Sequence, residues 1–149
     1  MYRSLFINFI MEQIPNCFYR ISAKALIVDN QKRFLLIKED NWLRELPGWW
    51  IDFWENPQEW IKRELLEEMW IHAILVNKTP AYFVTSTNLR DIWIANIIYE
   101  VQVNIDDVHN FKPSGECQEI RFFTIDDAAK EQLFPNIKEF LKQYNPANH

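Results

Sequence analysis

Apolar and polar positions along this chain alternate with a period that changes several times, and each change predicts an element. Residues 21–30 (ISAKALIVDN) and 33–40 (RFLLIKED) are rich in strand formers. The polar turn Asp29-Asn30-Gln31-Lys32 separates them, which predicts a β-hairpin. From Pro57 to Met69 the apolar spacing becomes helical. Asn56 stands as an N-cap, Pro57 suits the first helical position, and Glu59 completes an Asn-x-x-Glu capping pattern. HAILVNKTPAYFVTS (72–86), DIWIANIIYEVQV (91–103) and EIRFFTI (119–125) predict three further strands, two of them long enough to pair as a central antiparallel unit. The chain reads as helical from about Ile125 with a break at Pro135, and NIKEFLKQY (136–144) closes it as an amphipathic helix. Strands too apolar to face water on both sides, in the order β-β-α-β-β-β-α, predict a mixed sheet covered by helices, an α/β or α+β sandwich.

Composition narrows the class. With 149 residues and 48% apolar content the chain is expected to form one domain with a real core. A net charge of -5 argues against a nucleic-acid polymer as partner. No apolar run reaches the roughly 18 residues of a membrane span, and MYRSLFINFI is too short and lacks the small-residue site of a cleaved leader. Cys17 and Cys117 fit no metal or disulfide spacing and are expected to be free thiols in a reducing, cytoplasmic setting. Met11 opens a second plausible start, so residues 1–10 are expected to be dispensable. The domain is placed at 20–145, with 1–19 as an N-terminal extension.

The predicted helix carries the candidate chemistry. Stepping along it, Glu64, Glu67 and Glu68 fall within about 100° of arc, while Ile61, Leu65, Leu66 and Met69 form a separate apolar stripe that would dock on the sheet. Like charges three and four residues apart repel unless a cation sits between them. Hard oxygen ligands of this kind suit Mg²⁺ or Mn²⁺, and a solvated acidic face fits the spacing as well. The longer frame is more specific: from position 49 the chain reads x6-Glu55-x7-Arg63-Glu64-Leu65-x-Glu67-Glu68-x-x-Ile71, preceded by Glu45-Leu46-Pro47-Gly48. This resembles the signature of the Nudix hydrolase family, G-x5-E-x7-R-E-U-x-E-E-x-G-U with U a bulky aliphatic residue. Every charged and both aliphatic positions match, whereas the two glycines are Trp49 and Trp70.

The resemblance implies a Nudix-type α/β/α sandwich with a mixed sheet. It implies hydrolysis of a nucleoside diphosphate linked to another moiety, by water attack at phosphorus with Mg²⁺ or Mn²⁺. Glu64, Glu67 and Glu68 would be metal ligands, Glu55 a further ligand or loop anchor, and Arg63 a structural residue paired with Glu55. Family members often recruit a base from a later loop, and Glu116 or Glu119 could serve, or be surface residues. The expected substrate is a small nucleotide, a nucleoside triphosphate or relative, handled by a monomer or homodimer. A catalytically inactive nucleotide- or protein-binding module on the same fold is the alternative. Tyr82, Phe83 and Phe123 are candidates to stack on a base, although strand aromatics more often belong to the core.

One feature of the composition conflicts with this frame. At the usual proportion of about 7% the chain would hold about ten glycines, yet it has 2 beside 7 tryptophans. Trp49, Trp50, Trp54 and Trp70 stand where the family has glycine, Trp42 follows Asn41 at a natural turn, and Trp60 falls on the carboxylate face. A non-glycine residue forced into left-handed backbone costs roughly 1–2 kcal/mol, and the strain is expected at Trp49, Trp50 and Trp70. Several of these tryptophans are therefore expected to be glycine in the organism, as happens when UGA codons that a lineage reads as glycine are translated as tryptophan. The alternative is a divergent domain whose indoles fill the pocket. The chain as written is expected to have a distorted metal loop and little activity, and Trp93 reads as a core aromatic.

Overall fold

The structure is a computed structural model and describes residues 17–40 and 42–149. Residues 1–16, including the second start at Met11, and Asn41 lie outside the described residues. The strands are β1 (Arg20–Leu26), β2 (Phe34–Lys38), β3 (Arg44–Glu45), β4 (Gly48–Trp50), β5 (Ala73–Val76), β6 (Tyr82–Thr87), β7 (Trp93–Val103) and β8 (Glu119–Phe123). The helices are α1 (Pro57–Met69), α2 (Ile105–His109), α3 (Ile125–Ala128) and α4 (Pro135–Gln143), with a 3-10 turn over Pro146–Asn148.

β7 organises the larger sheet. Along one edge it runs parallel to β1, with Ala23 opposite Ile97, and along the other it pairs antiparallel with β6 and then β5. β4 closes the far side of β1 in antiparallel register, and β3, β2 and β8 form a second sheet. The mixed α/β sandwich expected from the pattern is the architecture observed.

Several local expectations are corrected. The turn at Asp29 forms, with Asp29 N–H donating to Arg33 O at 2.9 Å and Asp29 Oδ1 accepting from Gln31 and Arg33. Its two arms make a single bridge, Val28 to Phe34, and then diverge into different sheets. A hairpin is therefore not what they build, because each strand is buried on both faces and finds partners distant in sequence. Residues 72–86 are two strands split around Lys78 to Pro80, since Pro80 has no N–H to offer a ladder. Pro135 begins α4 and does not break a helix, in keeping with proline's fit to the first turn. β3, β4 and α2 had no periodic signal because they are too short to show one.

Period-2 alternation divides the core. Ala23 and Ala25 of β1 and Ile27 just beyond it face α1 with Leu35, Ile37, Tyr99 and Val101. Their alternates, Leu26, Phe34, Leu36 and Ile98, face α4 with Ile137 and Phe140. Helix α1 lays Ile61, Leu65 and Met69 into the first layer. Leu66, expected on that stripe, is exposed, and Trp60 is buried instead.

Candidate active site

The start of α1 is fixed by its cap. Asn56 Oδ1 accepts from the N–H groups of Gln58 and Glu59 at 3.0 and 3.1 Å. Glu59 does not complete the expected capping box with its side chain, which reaches Lys62 at 3.0 Å. Docking of the apolar stripe then sets the carboxylates: Glu64 points inward with 12% of its side chain exposed, whereas Glu67 is 61% exposed.

Glu68 is the electrostatic centre of this face. Burial, a hydrogen bond shared with Glu64 and the nearby charges of Glu64, Glu116 and Glu39 push its carboxyl up to about 8. Glu116 comes to this point because its loop is tied to the end of α1. Ser114 Oγ donates to Glu68 O at 3.3 Å and accepts from Glu116 and Cys117 N–H. Glu39, at the end of β2, was not foreseen from sequence; the only signal was a carboxylate directly after an apolar strand. Burial raises its pKa too, opposed by Lys24 and assisted by Glu45 and Asp40.

Arg63 gathers the other charged positions of the motif. Its guanidinium lies 3.3 Å from Glu55, 3.7 Å from Glu64 and 3.9 Å from Glu67, and stacks over the Trp60 ring at 4.4 Å. Glu55 also accepts the Asp52 N–H at 3.0 Å, so the loop ahead of the helix closes on the same carboxylate. The two candidates for a later base are separated. Glu116 joins Glu68, while Glu119 pairs with buried Arg44 at 2.7 Å and Lys38 at 3.8 Å, and the Arg44 hydrogen bond holds its carboxyl below the usual range. Among the described residues no three His, Cys, Asp or Glu side chains already stand as a closed metal-ligand set. Glu64 shares a hydrogen bond with Glu68, and Arg63 lies against Glu64 as well as Glu67 and Glu55.

On the opposite face of β1 lies a cavity of ≈ 320 Å³. Its floor is the alternate set of strand residues, Ser22, Lys24, Ser86 and Asn96, and its walls include Glu45 and Asn136. Lys24, Glu45, Asn136 and Asn96 are buried and joined. Lys24 Nζ donates to Gly48 O at 2.9 Å and lies 3.5 Å from Glu45 Oε2. Asn136 Nδ2 donates to Glu45 Oε1 at 2.8 Å and to Asn96 Oδ1 at 3.3 Å. Because a carboxylate only accepts, the Asn136 amide is fixed in orientation, and its Oδ1 has no partner among the described residues. Glu39 lines the same cavity and is felt by Glu68, so the cavity and the carboxylate face meet there. Tyr82, Phe83 and Phe123 do not line it: Phe123 is core, Tyr82 packs beside Phe140, and Phe83 is exposed.

Gly48 seats β4 against β1. It has φ 123°, and a Cβ there would stand 2.2 Å from the Ala23 carbonyl oxygen. Only glycine allows that approach.

Comparison with known proteins gives one consistent result. The family profile of the NUDIX domain matches residues 18–144. Among solved structures, the MutT protein from Methanosarcina mazei Go1 superposes with TM-score 0.70 at 22% identity, covering 91% of this chain and 99% of that one. A MutT NUDIX hydrolase from Burkholderia pseudomallei gives 0.66 at 21%, covering 87% and 100%. A UDP-X diphosphatase gives 0.67 at 18%, covering 94% and 70%. No curated protein sequence matches the chain.

Proposed function

The chain belongs to the NUDIX family and is a hydrolase of phosphoric anhydride bonds, and from that premise we propose that it is a Mg²⁺- or Mn²⁺-dependent pyrophosphohydrolase acting on a nucleoside diphosphate linked to another moiety. The observation that carries this reading is the carboxylate nest of Glu64, Glu68, Glu116 and Glu39, where burial first and the neighbouring carboxylates second push Glu68 up to about 8. Such a nest is a liability in a folded protein unless a cation resides in it. Hard oxygen donors without nitrogen or sulfur fit magnesium or manganese.

Glu64, Glu67 and Glu68 would hold the ion, with Glu116 and Glu39 beside them. When bound, a divalent cation neutralises diphosphate oxygens and lowers the pKa of a ligated water. Arg63 and Glu55 are assigned to keeping the preceding loop closed on the helix. Glu116 is favoured over Glu119 as the group that takes the proton of the attacking water, because Glu119 is engaged by Arg44 and Lys38. The nucleoside is assigned to the cavity, where the clamped Asn136 offers a fixed acceptor to a base N–H. Residues 20–145 are taken as the catalytic unit, and two free cysteines suit a reducing compartment.

The test is release of phosphate or pyrophosphate from a panel of nucleoside triphosphates, dinucleoside polyphosphates and nucleotide sugars, with and without Mg²⁺ or Mn²⁺. Cation-dependent release that Glu67→Ala and Glu68→Ala each abolish is the expected result. Nucleotide binding without turnover of any member of the panel would instead identify a non-catalytic module.

A further inference from the structure

The seven tryptophans separate by backbone conformation into classes that sequence cannot distinguish. Trp42, Trp54 and Trp70 have φ of 67°, 60° and 57°, in the left-handed region where a Cβ crowds the following carbonyl. Trp49 and Trp50 lie in strand β4 and Trp60 inside α1, none of them with positive φ, so the strain expected at Trp49 and Trp50 is absent. Trp93 is an ordinary strand residue opposite Thr87, half-exposed and not the core aromatic expected from sequence.

A left-handed non-glycine residue persists when its side chain finds interactions that offset the strain. These three find little: Trp42, Trp54 and Trp70 are 65%, 89% and 75% exposed. Their indoles line neither the cavity nor the carboxylate face, so recruitment of tryptophan to plug the site does not account for these three. Among the described residues Trp42 has Lys38 over its ring at 4.6 Å, and Trp54 has the edge of its neighbour Phe53. The backbone, in contrast, needs the conformation. At Trp70 the left-handed residue ends α1, its N–H donating to Leu66 O at 3.0 Å while Ile71 N–H reaches Leu65 O at 3.1 Å. That reversal is the one for which glycine is the usual choice.

We infer that the functional polypeptide carries glycine at positions 42, 54 and 70, the tryptophans being UGA codons that the source organism decodes as glycine. The same decoding extends to Trp60, whose buried indole N–H has no partner among the described residues. It extends also to Trp49 and Trp50 through the glycines that the family has there, and not through backbone strain. Restoring six of the seven would bring the glycine content close to the usual proportion. Tryptophan is retained at 93. The nucleotide cavity of the native enzyme is then wider at β4 than the one described above.

The inference is tested first in the gene and in peptides from source cells. UGA at codons 42, 54 and 70, with peptides lighter at each by an indolylmethyl group, is expected; UGG codons or tryptophan-mass peptides overturn it. A test independent of the source uses purified chains. Trp42→Gly, Trp54→Gly and Trp70→Gly should each raise the melting temperature of the chain as written, by about 3 °C or more, while Trp93→Gly should lower it. A fall at all three positions comparable to that of Trp93→Gly contradicts the backbone argument. If the chain as written does not fold, the comparison is made by adding tryptophan singly to the glycine-restored chain, with the same signs reversed. None of these readouts depends on the hydrolase assignment.

Discussion

The two faces of strand β1 carry two polar constructions of opposite character. On the α1 side, acidic side chains are crowded together with too little positive charge among them, and Glu68 keeps a proton that a free carboxyl would have lost. On the α4 side, Lys24, Glu45, Asn136 and Asn96 are just as polar and more deeply buried, yet each is matched by a neighbour. The first arrangement is short of positive charge, and the second is satisfied except at Asn136 Oδ1, which has no partner among the described residues. In the proposed function the crowded face is where a cation would act, and the buried network is the wall that would meet the base. Glu39 stands between them, felt by Glu68 on one side and by Lys24 and Glu45 on the other.

The comparison breaks most sharply by removing one carboxylate charge from each face. Glu45→Gln leaves the Lys24 charge buried without its paired carboxylate, only the Gly48 carbonyl remaining, and should destabilise the fold by about 3–5 kcal/mol, read by denaturant unfolding. Glu68→Gln relieves repulsion, so the melting temperature without metal should not fall. Its activity should drop by more than the roughly 10–100-fold that loss of a supporting residue around a metal costs. Stability effects in the reverse order would show that the nest, not the network, holds the fold together.

The pH dependence of stability has a definite sign. Between the ordinary carboxyl value of 4.5 and about 8, folded Glu68 binds a proton that the unfolded chain has released. The folded state therefore holds more protons in that window, and the metal-free protein should lose stability as pH rises through it. Magnesium, as the proposed cofactor, would bind the ionised form, so its stabilising effect should grow over the same range, with a proton released on binding below about pH 8. Melting curves from pH 5 to 8.5 with and without Mg²⁺ check both; a metal-free stability that rises steadily over this range would contradict the crowding.

The cavity side predicts a change of selectivity more than of rate. Asn136→Ala removes the fixed acceptor and should cost about 1–3 kcal/mol in kcat/KM for the preferred base, appearing mainly in KM. The ratio between that base and an analogue lacking the matching N–H should fall towards one, since discrimination of this kind rests on a site group left unpaired. An unchanged ratio would remove Asn136 from base recognition.

How much of this could be read from the chain follows from the same contrast. Glu64, Glu67 and Glu68 are on one helix, and a period of 3.6 residues is enough to bring them together. Their unequal burial was not legible, because it depends on how α1 docks, and neither was the approach of Glu116, which arrives from a loop tied to Glu68 by Ser114. The cavity was invisible from sequence. Lys24, Glu45, Asn96 and Asn136 come from β1, β3, β7 and α4, and no local pattern records that topology places them on one floor. Mixed sandwich and docked helix were legible since burial on both strand faces and an apolar helical stripe each leave a period. The hairpin expectation failed because the turn at Asp29 fixes only the local reversal, while the partners of β1 and β2 are chosen at a distance.

The smallest effect tests how α1 is started, and with it how the carboxylates are aimed. The Asn-x-x-Glu pattern predicts a reciprocal cap in which Asn56 and Glu59 each satisfy a backbone N–H, so that loss of either would cost about 1 kcal/mol. In the structure Asn56 accepts two N–H groups on its own, and Glu59 turns to the exposed amine of Lys62. Asn56→Ala should then cost about 1 kcal/mol, whereas Glu59→Ala should cost no more than about 0.5 kcal/mol, the scale of an exposed helical ion pair, and less in high salt. Equal losses in denaturant unfolding would mean that Glu59 swings back to the cap in solution. A salt-dependent loss confined to Glu59→Ala would place it on the surface, leaving Asn56 alone to fix where the helix begins and hence which way Glu64 and Glu68 face.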